Sequence, residues 1–453
     1  MAMDRRQVMM GGFGLGAGLA ATAGPRVAPV RAAQSDDGSQ SVTDYGARPN
    51  AKRDQTAVLQ KAIDSAAEAG IILHFPAGTY RSGKLTLSKG SILNGVPGRS
   101  VLKLSGKDAA LLARSARDIH LSGLVLDGGG VAPGGKTNES ALLSADNVDE
   151  LTVTSCRIRA SGANGISLNR CSGRIADNEI TMAAHTGLFC NDSGSLDIIH
   201  NHVHDCGNNG IQVWRSSPGE DGTIVSHNRV ENIHANAGGS GENGNGINVF
   251  RADSVQVTGN RITDCAFSAI RGNAASNLQV LGNSCARLGE VAIYEEFGFE
   301  GAVIANNLVD KAATGISITN FNEGGRMAVV QGNLIRNLFL RESSRGVGIS
   351  VEADTMVTGN LIEGAPGGGI MIGWGKHLRD VNVSGNLIRE VRIGIGVSVA
   401  SDAGYAYVTN NMIAKTVEGG IRAMDHDQPL GPDLAKTSSE SYRNIAVFGN
   451  VSL

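Results

Sequence analysis

Apolar and polar residues alternate in short runs that recur along most of the chain. Between Val255 and Ile262, apolar side chains occupy alternate positions until the pair Gly259-Asn260 interrupts the run. A period of two residues is typical of β-strands that bury one face. The pattern therefore predicts short strands separated by sharp corners.

An Asn recurs at these corners, mostly at intervals of 23 to 27 residues. Such a period is typical of a solenoid in which each repeat forms one coil. Asn tolerates left-handed backbone, and its amide can bond to the Asn of the next coil, so we expect an Asn ladder along one edge. The members of this ladder are Asn178, Asn201, Asn228, Asn260, Asn283, Asn307, Asn333, Asn360, Asn386, Asn411 and Asn450.

A second signal, a small residue followed by a branched apolar one, comes about nine or ten residues after most of these asparagines. It occurs at Gly165-Ile166, Gly187-Leu188, Gly210-Ile211, Gly246-Ile247, Ala269-Ile270, Ala292-Ile293, Gly315-Ile316, Gly348-Ile349, Gly369-Ile370 and Gly420-Ile421. Each coil is therefore predicted to contribute two short strands. The whole predicts an all-β, single-stranded parallel β-helix of about 11 to 13 coils, which would span about 55 Å.

Composition narrows the function classes. The unbroken repeat favours one elongated domain in the 453 residues. A net charge of -3 and 4% aromatic residues give no electrostatic footprint for nucleic acid. No run of 18 apolar residues is present to span a membrane. Nothing in the sequence requires a metal or another cofactor, and the oligomeric state is open.

The first residues have the features of an export signal. Asp4-Arg5-Arg6-Gln7-Val8-Met9 precedes a Gly/Ala-rich stretch that ends near Ala23. This arrangement resembles a twin-arginine signal, although Asp4 replaces the usual Ser or Thr. We therefore expect residues 1–40 to form a signal peptide and linker, and the mature protein to be periplasmic or secreted.

The six cysteines are predicted to stay thiols. Cys190 and Cys285 fall at inward positions, where Cys packs as a small apolar residue. Cys206 and Cys265 share a column but are separated by a whole coil, so their Cα atoms are about 9 to 10 Å apart, beyond disulfide reach.

A distinctive block precedes the repeats. It consists of Asp44-Tyr45-Gly46-Ala47, a helical pattern from Asp54 to about Ala69, and a strand that ends Phe75-Pro76-Ala77-Gly78-Thr79-Tyr80. Asp54 is a suitable N-cap. Such a helix would cover the open end of a solenoid, so residues 41–90 are predicted to form an N-terminal cap and residues 91–453 the repeat domain.

The order and spacing of these three pieces resemble the opening of pectate-lyase-superfamily proteins. With the export signal, the chain also resembles an uncharacterised family of twin-arginine-translocated repeat proteins. The superfamily resemblance implies a right-handed β-helix that commonly acts on acidic polysaccharides outside the cytoplasm. It does not imply one activity, since the same scaffold carries lyases, hydrolases, epimerases and non-catalytic adhesins.

Motifs of characterised enzymes with this fold are missing. The polygalacturonase signatures and the alginate-epimerase Asp-Pro-His motif do not occur in the repeats, and no coil presents the stacked Asp carboxylates of a calcium site. His202 and His204 share an outward face, and Glu231 is the obvious third metal ligand. Solvated histidines on a strand are the favoured interpretation.

Reading the outward positions by column predicts a site on one sheet. The first row contains Phe189, Gln212, Asn248, Arg271 and Tyr294, and the second contains Asn191, Trp214, Phe250, Asn273 and Glu296. Arg251 flanks them, and insertions at 216–223 and 233–245 could form walls. Exposed aromatic rings, amides and cations are the groups that bind the ring faces, hydroxyls and carboxylates of sugars.

The leading hypothesis is an exported protein that acts on or binds an acidic polysaccharide, with β-elimination from a uronate as the candidate reaction. Arg271 would neutralise the carboxylate, Tyr294 would serve as acid, or as base if Arg271 lowers its pKa, and Glu296 is the next group for proton transfer. Gln212, Trp214, Asn248, Phe250, Arg251 and Asn273 would position the chain. The alternatives are a non-catalytic binding scaffold and a glycan hydrolase, and a surface ion pair between Arg271 and Glu296 is the competing structural interpretation.

Overall fold

The computed structural model describes residues 38–106, 110–131, 140–239, 241–342 and 344–453. The predicted export signal therefore lies outside the described residues except for its last three positions. Within the described ranges, no helix combines the length and the apolar character needed to cross a membrane.

One α-helix, α1 (Thr56–Ala69), precedes most of the strands and buries Leu59, Ala62, Ile63 and Ala66. It begins two residues later than the pattern predicts. Asp54 accepts a hydrogen bond from the backbone N–H of Thr56, while Gln55 occupies the N-cap position. Gly70 ends the helix in left-handed conformation.

The strands are short and follow one another at sharp corners. The first third of the described chain contains β1 (Ser39–Ser41), β2 (Ile72–Phe75), β3 (Gly78–Ser82), β4 (Leu85–Leu87), β5 (Ile92–Gly95), β6 (Ser100–Leu104), β7 (Leu111–Ser122), β8 (Leu124–Asp127), β9 (Ala141–Thr154), β10 (Arg157–Arg159), β11 (Asn164–Asn169), β12 (Gly173–Ala176), β13 (Glu179–Thr181) and β14 (Thr186–Asn191). The middle third contains β15 (Leu196–Ile199), β16 (His202–Cys206), β17 (Asn209–Glu220), β18 (Ile224–Ser226), β19 (Arg229–Ile233), β20 (Asn245–Asp253), β21 (Gln256–Thr258), β22 (Arg261–Cys265), β23 (Ile270–Asn273), β24 (Leu278–Leu281), β25 (Ser284–Glu296), β26 (Glu300–Ala305) and β27 (Leu308–Ile318).

A 3-10 turn at Phe321–Glu323 separates these from the last third. The remaining strands are β28 (Arg326–Gln331), β29 (Leu334–Arg336), β30 (Val347–Val351), β31 (Thr355–Thr358), β32 (Leu361–Ala365), β33 (Gly368–Ile372), β34 (Val381–Ser384), β35 (Leu387–Val391), β36 (Ile395–Ser398), β37 (Ala406–Thr409), β38 (Met412–Thr416), β39 (Ile421–Asp425), β40 (Gln428–Leu430), β41 (Ile445–Phe448) and β42 (Val451–Ser452).

Parallel pairing between successive coils builds three sheets in a β-solenoid of about 13 turns, which confirms the predicted fold class. Sheet A runs from β1 through β24, β26, β28, β31, β34 and β37 to β41; sheet B from β3 through β16, β19 and β22 to β42; and sheet C from β4 through β14, β17, β20, β23 and the end of β25 to β39. The prediction of two strands per coil is wrong, because the Asn corner divides the first apolar run into a sheet A strand and a sheet B strand. Parallel pairing already includes β1, β2 and β5, so it extends to the N-terminal side of residue 91.

The predicted Asn ladder is confirmed in full. Each amide donates to the side-chain oxygen of the next ladder Asn, as between Asn260 and Asn283 and between Asn283 and Asn307, both at 3.0 Å. The same oxygen accepts the backbone N–H of the preceding coil's Asn, at 2.9 Å in both pairs. The left-handed residue is the one before each ladder Asn, for example His200, His227 or Gly259, and not the Asn itself.

The interior is a continuous stack of branched apolar side chains contributed by all three sheets. All six cysteines, which lie within the described residues, are buried free thiols. Ile233 lies between Cys206 and Cys265 in their column, as the register predicts. Burial raises the pKa of the Cys285 thiol to about 12, so it packs as an apolar group.

Candidate functional site

The two predicted rows stack on the outer face of sheet C. Strand pairing places Gln212 opposite Asn248, Asn248 opposite Arg271, and Arg271 opposite Tyr294. The second row is in the same register, with Trp214 opposite Phe250. The column assignment is therefore correct across these coils.

Sheet C and the second insertion enclose a pocket of about 300 Å³. It is lined by Trp214, Asn248, Phe250, Arg271, Asn273 and Glu296 from the two rows, and by Gly241, Glu242 and Phe297. Six of the nine predicted site residues thus meet in one cavity. Gln212, Arg251 and Tyr294 do not line it.

The insertion at 233–245 forms the cover of this pocket. Asn245 donates to the carbonyl of Gly241 at 2.8 Å, and Asn209 donates to the carbonyl of Glu242 at 3.0 Å. Gly241 has a φ of 140°, and a β-carbon there would collide with the Arg271 guanidinium. Gly is therefore needed at 241, because the loop backbone lies directly on the arginine.

The predicted strip is less exposed than expected because of this cover. Gln212, Asn248, Arg271 and Glu296 are buried, and Trp214 and Phe250 are half-buried. The interpretation of Arg271 and Glu296 as a surface ion pair is therefore wrong, since their side chains are only 9% and 4% exposed. A pattern of alternating residues carries no information about a loop that folds back over the sheet.

Arg271 is the centre of a buried charge network. Its Nε donates to Glu296 Oε1 at 2.7 Å, and its Nη1 donates to Glu290 Oε2 at 3.2 Å. Asn273 also donates to Glu296 Oε1, at 3.1 Å. Burial and the charge of Glu296 raise the pKa of Glu290 above its ordinary value, although Arg271 acts in the opposite direction. Arg271 thus already has two carboxylate partners within the protein.

Tyr294 supports this network from the next coil. The Arg271 guanidinium lies 4.9 Å from the centre of the Tyr294 ring. Burial and the charge of Glu296 raise the pKa of Tyr294 to about 12, although Arg271 acts in the opposite direction. The expectation that Arg271 makes Tyr294 a base is therefore not met: the phenol stays protonated at neutral pH.

Aromatic rings of three coils form one end of the pocket region. The Trp214 ring is 5.3 Å from Phe250 and 5.6 Å from Phe189, centre to centre. Trp214 Nε1 donates to Asn248 Oδ1 at 3.0 Å, which fixes the indole over the sheet. Gln212 lies deeper, where it accepts a hydrogen bond from Thr186 at 2.6 Å. Its amide positions the row and does not reach the pocket.

Arg251 has no carboxylate within ion-pair distance among the described residues. Its guanidinium lies 4.6 Å above the Phe250 ring, and its Nη1 donates to the carbonyl of Ser216 in the first insertion at 3.1 Å. The Phe250 ring lines the pocket, so the guanidinium is one aromatic ring away from it. Among the described residues it donates one hydrogen bond, which leaves most of its five donors without a protein partner there.

Sequence reasoning missed Glu290, Glu242 and Phe297. Glu290 lies in β25 where the register with β27 is irregular, so no column identifies it. Glu242 belongs to an insertion, and Phe297 follows the last residue of the second row. The sequence does carry a signal for a buried carboxylate in this strand. Because side chains alternate along a strand, one of the successive residues Glu295 and Glu296 must face the core.

The histidine pair lies on sheet B, away from this pocket. His202 Nε2 is 2.7 Å from Glu231 Oε1, and the two imidazole rings stack at 4.2 Å. His204 pairs instead with Asp205, at 2.6 Å. In the part of the chain that the structure describes, no group of three His, Cys, Asp or Glu side chains has an arrangement that could hold a metal ion.

Comparison with known families gives one match. The profile of the family described as rhamnogalacturonase A/epimerase, pectate lyase-like, covers residues 39–271, which is just over half of the chain. This range includes most of the two rows but ends before Tyr294 and Glu296. A comparison with curated protein sequences gives no match.

Solved structures share the fold at low sequence identity. The pre-mature gene product 12 of bacteriophage phi29 is 15% identical with a TM-score of 0.52, over 85% of this chain and 55% of that protein. An N-terminal fragment of the same phage protein is 17% identical with a TM-score of 0.55, over 91% of this chain and 70% of the fragment. The catalytic unit of a GH87 α-1,3-glucanase from Streptomyces thermodiastaticus strain HF3-3 is 17% identical with a TM-score of 0.46, over 92% and 69%. The chain thus spans just over half the length of the phage protein, and the similarity to the two phage structures shows the solenoid fold alone.

Proposed function

Because the chain belongs to the rhamnogalacturonase A/epimerase, pectate lyase-like family, we propose that it is an exported protein that binds an acidic polysaccharide at the sheet C pocket. The carrying observation is the combination of a pocket lined by Trp214 and Phe250 with the uncommitted guanidinium of Arg251 beside it. Aromatic faces stack on sugar rings, and a free guanidinium binds a carboxylate through paired N–H donors.

Arg251, rather than Arg271, is the uronate-binding cation in this proposal. Arg271 contacts two glutamates, so binding a third carboxylate would require displacing one of them. Arg251 loses no such partner. Asn248 and Asn273 supply amides for the hydroxyls, and Gly241 and Glu242 of the insertion form the opposite wall.

The test is affinity electrophoresis of the exported chain in gels that contain alginate, polygalacturonate or hyaluronan. Arg251→Ala should weaken binding about 10- to 100-fold, the equivalent of about 1.5 to 3 kcal/mol for a charge-assisted hydrogen bond. Arg229→Ala is the control, because Arg229 is exposed on sheet B and has no carboxylate partner among the described residues. Failure of the wild type to bind, or unchanged binding by Arg251→Ala, would contradict the proposal.

Cleavage is a second candidate, favoured by the two carboxylates that line the pocket. Glu296 lies on the sheet and Glu242 on the covering loop, so they face the cavity from different walls. In β-elimination Glu296 would take the C5 proton of a uronate while the C4–O4 bond breaks and Glu242 protonates the leaving oxygen. Hydrolysis would use Glu242 and Glu296 as an acid and base pair, with water attacking the anomeric carbon. Tyr294, outside the pocket, would hold Arg271 in place.

Product analysis separates these reactions. Elimination creates an unsaturated uronate with ultraviolet absorbance, whereas hydrolysis creates reducing ends without it. Glu296→Gln should abolish either activity. Binding without either product would leave the protein as a polysaccharide-binding scaffold.

A further inference from the structure

A second groove runs along the outer face of sheet A, on a different side of the solenoid from the pocket. Three adjoining cavities of about 400, 670 and 520 Å³ compose it. The first two share Asp354 and Met356, and the last two share Asp380 and Asn382. The groove crosses the successive strands β24, β26, β28, β31, β34, β37 and β41, which corresponds to about 30 Å along the solenoid axis.

One outward row forms the floor of this groove. Strand pairing places Val303, Val329, Met356, Asn382 and Tyr407 opposite one another in successive coils. Three of the five are unusually exposed for their type: Val303 is 38%, Met356 49% and Tyr407 47% exposed, whereas Val329 and Asn382 are half-buried. Exposed apolar groups that recur along a groove are typical of a binding surface.

The rim adds further apolar surface at the corner next to this row. Met327 is 50% exposed and has a φ of 66°, a conformation that bulky residues rarely adopt. Tyr405 is 69% exposed and lines the last cavity with Tyr407. Tyr405 immediately precedes β37 and Tyr407 lies in it, and the two exposed rings offer flat faces with hydroxyl groups at their edges.

The central charges of the groove pair with one another, whereas Asp380 and the exposed Arg443 add one further charge of each sign, without an ion pair among the described residues. Arg379 donates to Asp354 at 2.8 and 2.5 Å, and Arg326 lies 3.5 Å from the same carboxylate. Arg326 also contacts Glu300 at 2.5 Å. The two central arginines are therefore not available for an anionic ligand, in contrast to Arg251 at the pocket.

Amides supply the remaining polar lining. Asn277 and Gln279 lie in the first cavity, and Asn382 lies between the second and third. Asn382 is half-buried, and its Oδ1 is shielded from solvent, so its contribution to the lining is the amide nitrogen. Amides beside apolar and aromatic surface match hydroxyl-rich, uncharged ligands.

We propose that this groove binds a neutral linear polysaccharide lying parallel to the solenoid axis. Its length exceeds what a small molecule occupies, whereas a chain of sugar rings presents alternating apolar faces and hydroxyls along its whole extent. A partner β-strand cannot be added here, because the backbone groups of a sheet face are already paired between coils. The groove and the sheet C pocket share none of their lining residues, so the two proposals stand independently.

The experiment is affinity electrophoresis of the full chain in gels that contain xylan, galactomannan, dextran or hydroxyethyl cellulose. We expect retardation by at least one of these, reduced at least fivefold in apparent affinity by Tyr405→Ala combined with Tyr407→Ala. The control is Met412→Ala, whose side chain is 47% exposed, as is that of Tyr407, but lies on sheet B. Thermal melting of each variant confirms folding, since both tyrosines are exposed.

Three results would overturn the proposal: no retardation of the wild type by any neutral polysaccharide, equal retardation of the tyrosine variant, or equal loss in Met412→Ala. Sedimentation velocity provides a further arm. An oligomer that dissociates in the tyrosine variant would identify the groove as an interface between copies and would also overturn it. The tyrosine variant should retain wild-type binding to alginate or polygalacturonate, because neither tyrosine lines the sheet C pocket, so failure here and failure of the pocket proposal are distinguishable.

Discussion

The Asn ladder and the centre of the first pocket row, at Gln212, Asn248 and Arg271, are both stacks of buried polar side chains, but they satisfy their hydrogen bonds differently. Every ladder position holds the same residue, whose amide donates to the next coil and whose oxygen accepts from the previous one. The rows hold a different residue in each coil, such as Asn248, Arg271 and Tyr294. The ladder therefore completes itself by repetition, whereas the rows depend on groups outside the repeat.

Those outside groups are the source of the chemistry. Glu290 comes from an irregular stretch of β25, and Gly241 from an insertion that covers Arg271. A repeating side chain gives the same environment in each coil, so it stabilises without distinguishing one place from another. A site requires a break in the repeat, and the two insertions of the neighbouring coils supply it.

The largest effect that separates the two stacks is expected at Arg271. Arg271→Ala leaves the carboxylates of Glu290 and Glu296 next to each other without their cation, and loss of one partner from a buried ion network costs about 3 to 5 kcal/mol. Urea unfolding of the variant measures this loss.

The matched control removes the stranded charges as well. Combining Arg271→Met with Glu290→Gln and Glu296→Gln leaves no buried charge in the network, so most of the stability should return. A loss in Arg271→Ala below about 1 kcal/mol would mean that the network is as weakly coupled as a surface ion pair.

Asn283→Ala tests the ladder and should cost about 3 kcal/mol. In the variant, the backbone N–H and the side-chain amide of Asn260 lose their acceptor, the Asn283 side-chain oxygen. The carbonyl of Val257 loses its donor, the Asn283 amide. Each buried group left without a partner costs about 1 to 3 kcal/mol. Because no ladder residue lines the pocket, polysaccharide binding should be unchanged at temperatures where the variant is folded.

Asn273→Ala is the comparison variant within the pocket. Asn273 is half-buried, and among the described residues its side chain makes one hydrogen bond, to Glu296, so its loss should cost about 1 kcal/mol. Equal losses at Asn273 and Asn283 would show that repetition adds nothing to the ladder.

The ladder and the column register were predictable from the sequence because both depend on periods. The spacing of the Asn residues placed Asn260 against Asn283, and alternation placed Arg271 beside Tyr294, as the strand pairing confirms. The number of strands per coil was not predictable in this way. The left-handed residue before each Asn turns the chain, and the pattern shows the corner but not that the residues on its two sides belong to different sheets.

The environment of the site was not predictable, since it depends on long-range contacts of nonrepeating segments. No pattern shows that the loop at Gly241 lies on Arg271 or that Glu290 reaches its guanidinium. The consequence was a wrong expectation of exposure, and the condition for Tyr294 to act as a base, a pKa lowered by Arg271, is not met. The export signal, the capping role of α1 and the roles of the site residues stay predictions.

Glu295 and Glu296 are adjacent in β25 but lie on opposite faces of the strand. Glu296 lines the pocket, whereas Glu295 points into the core of the solenoid. It is fully buried, and neither carboxyl oxygen has a hydrogen-bond partner among the described residues. Gly272 makes room for it, since a β-carbon there would collide with the carboxyl group. Burial and the charge of Glu296 raise the pKa of Glu295 well above its ordinary value, although the nearby N–H of Ala275 acts in the opposite direction.

Glu295 should therefore make folding pH-dependent in a direction opposite to that of an ion-paired carboxylate. Above the ordinary Glu pKa the unfolded chain releases this proton while the folded protein retains it, so wild-type stability falls as pH rises, by up to about 1.4 kcal/mol per pH unit from this group.

Glu295→Gln cannot titrate and has nearly the same shape. The stability of the variant relative to wild type should thus be constant below about pH 4 and rise between pH 4.5 and 6, by about 1 to 1.5 kcal/mol near pH 5.5. Urea unfolding of both proteins at each pH measures the difference, in which the contributions of all other groups cancel. A difference that does not change with pH would mean that Glu295 is ionised in the core, and a difference that falls with pH would mean that it has a cationic partner there. Either result would place Glu295 with the charge network of Arg271 and would remove the boundary between the two faces of β25.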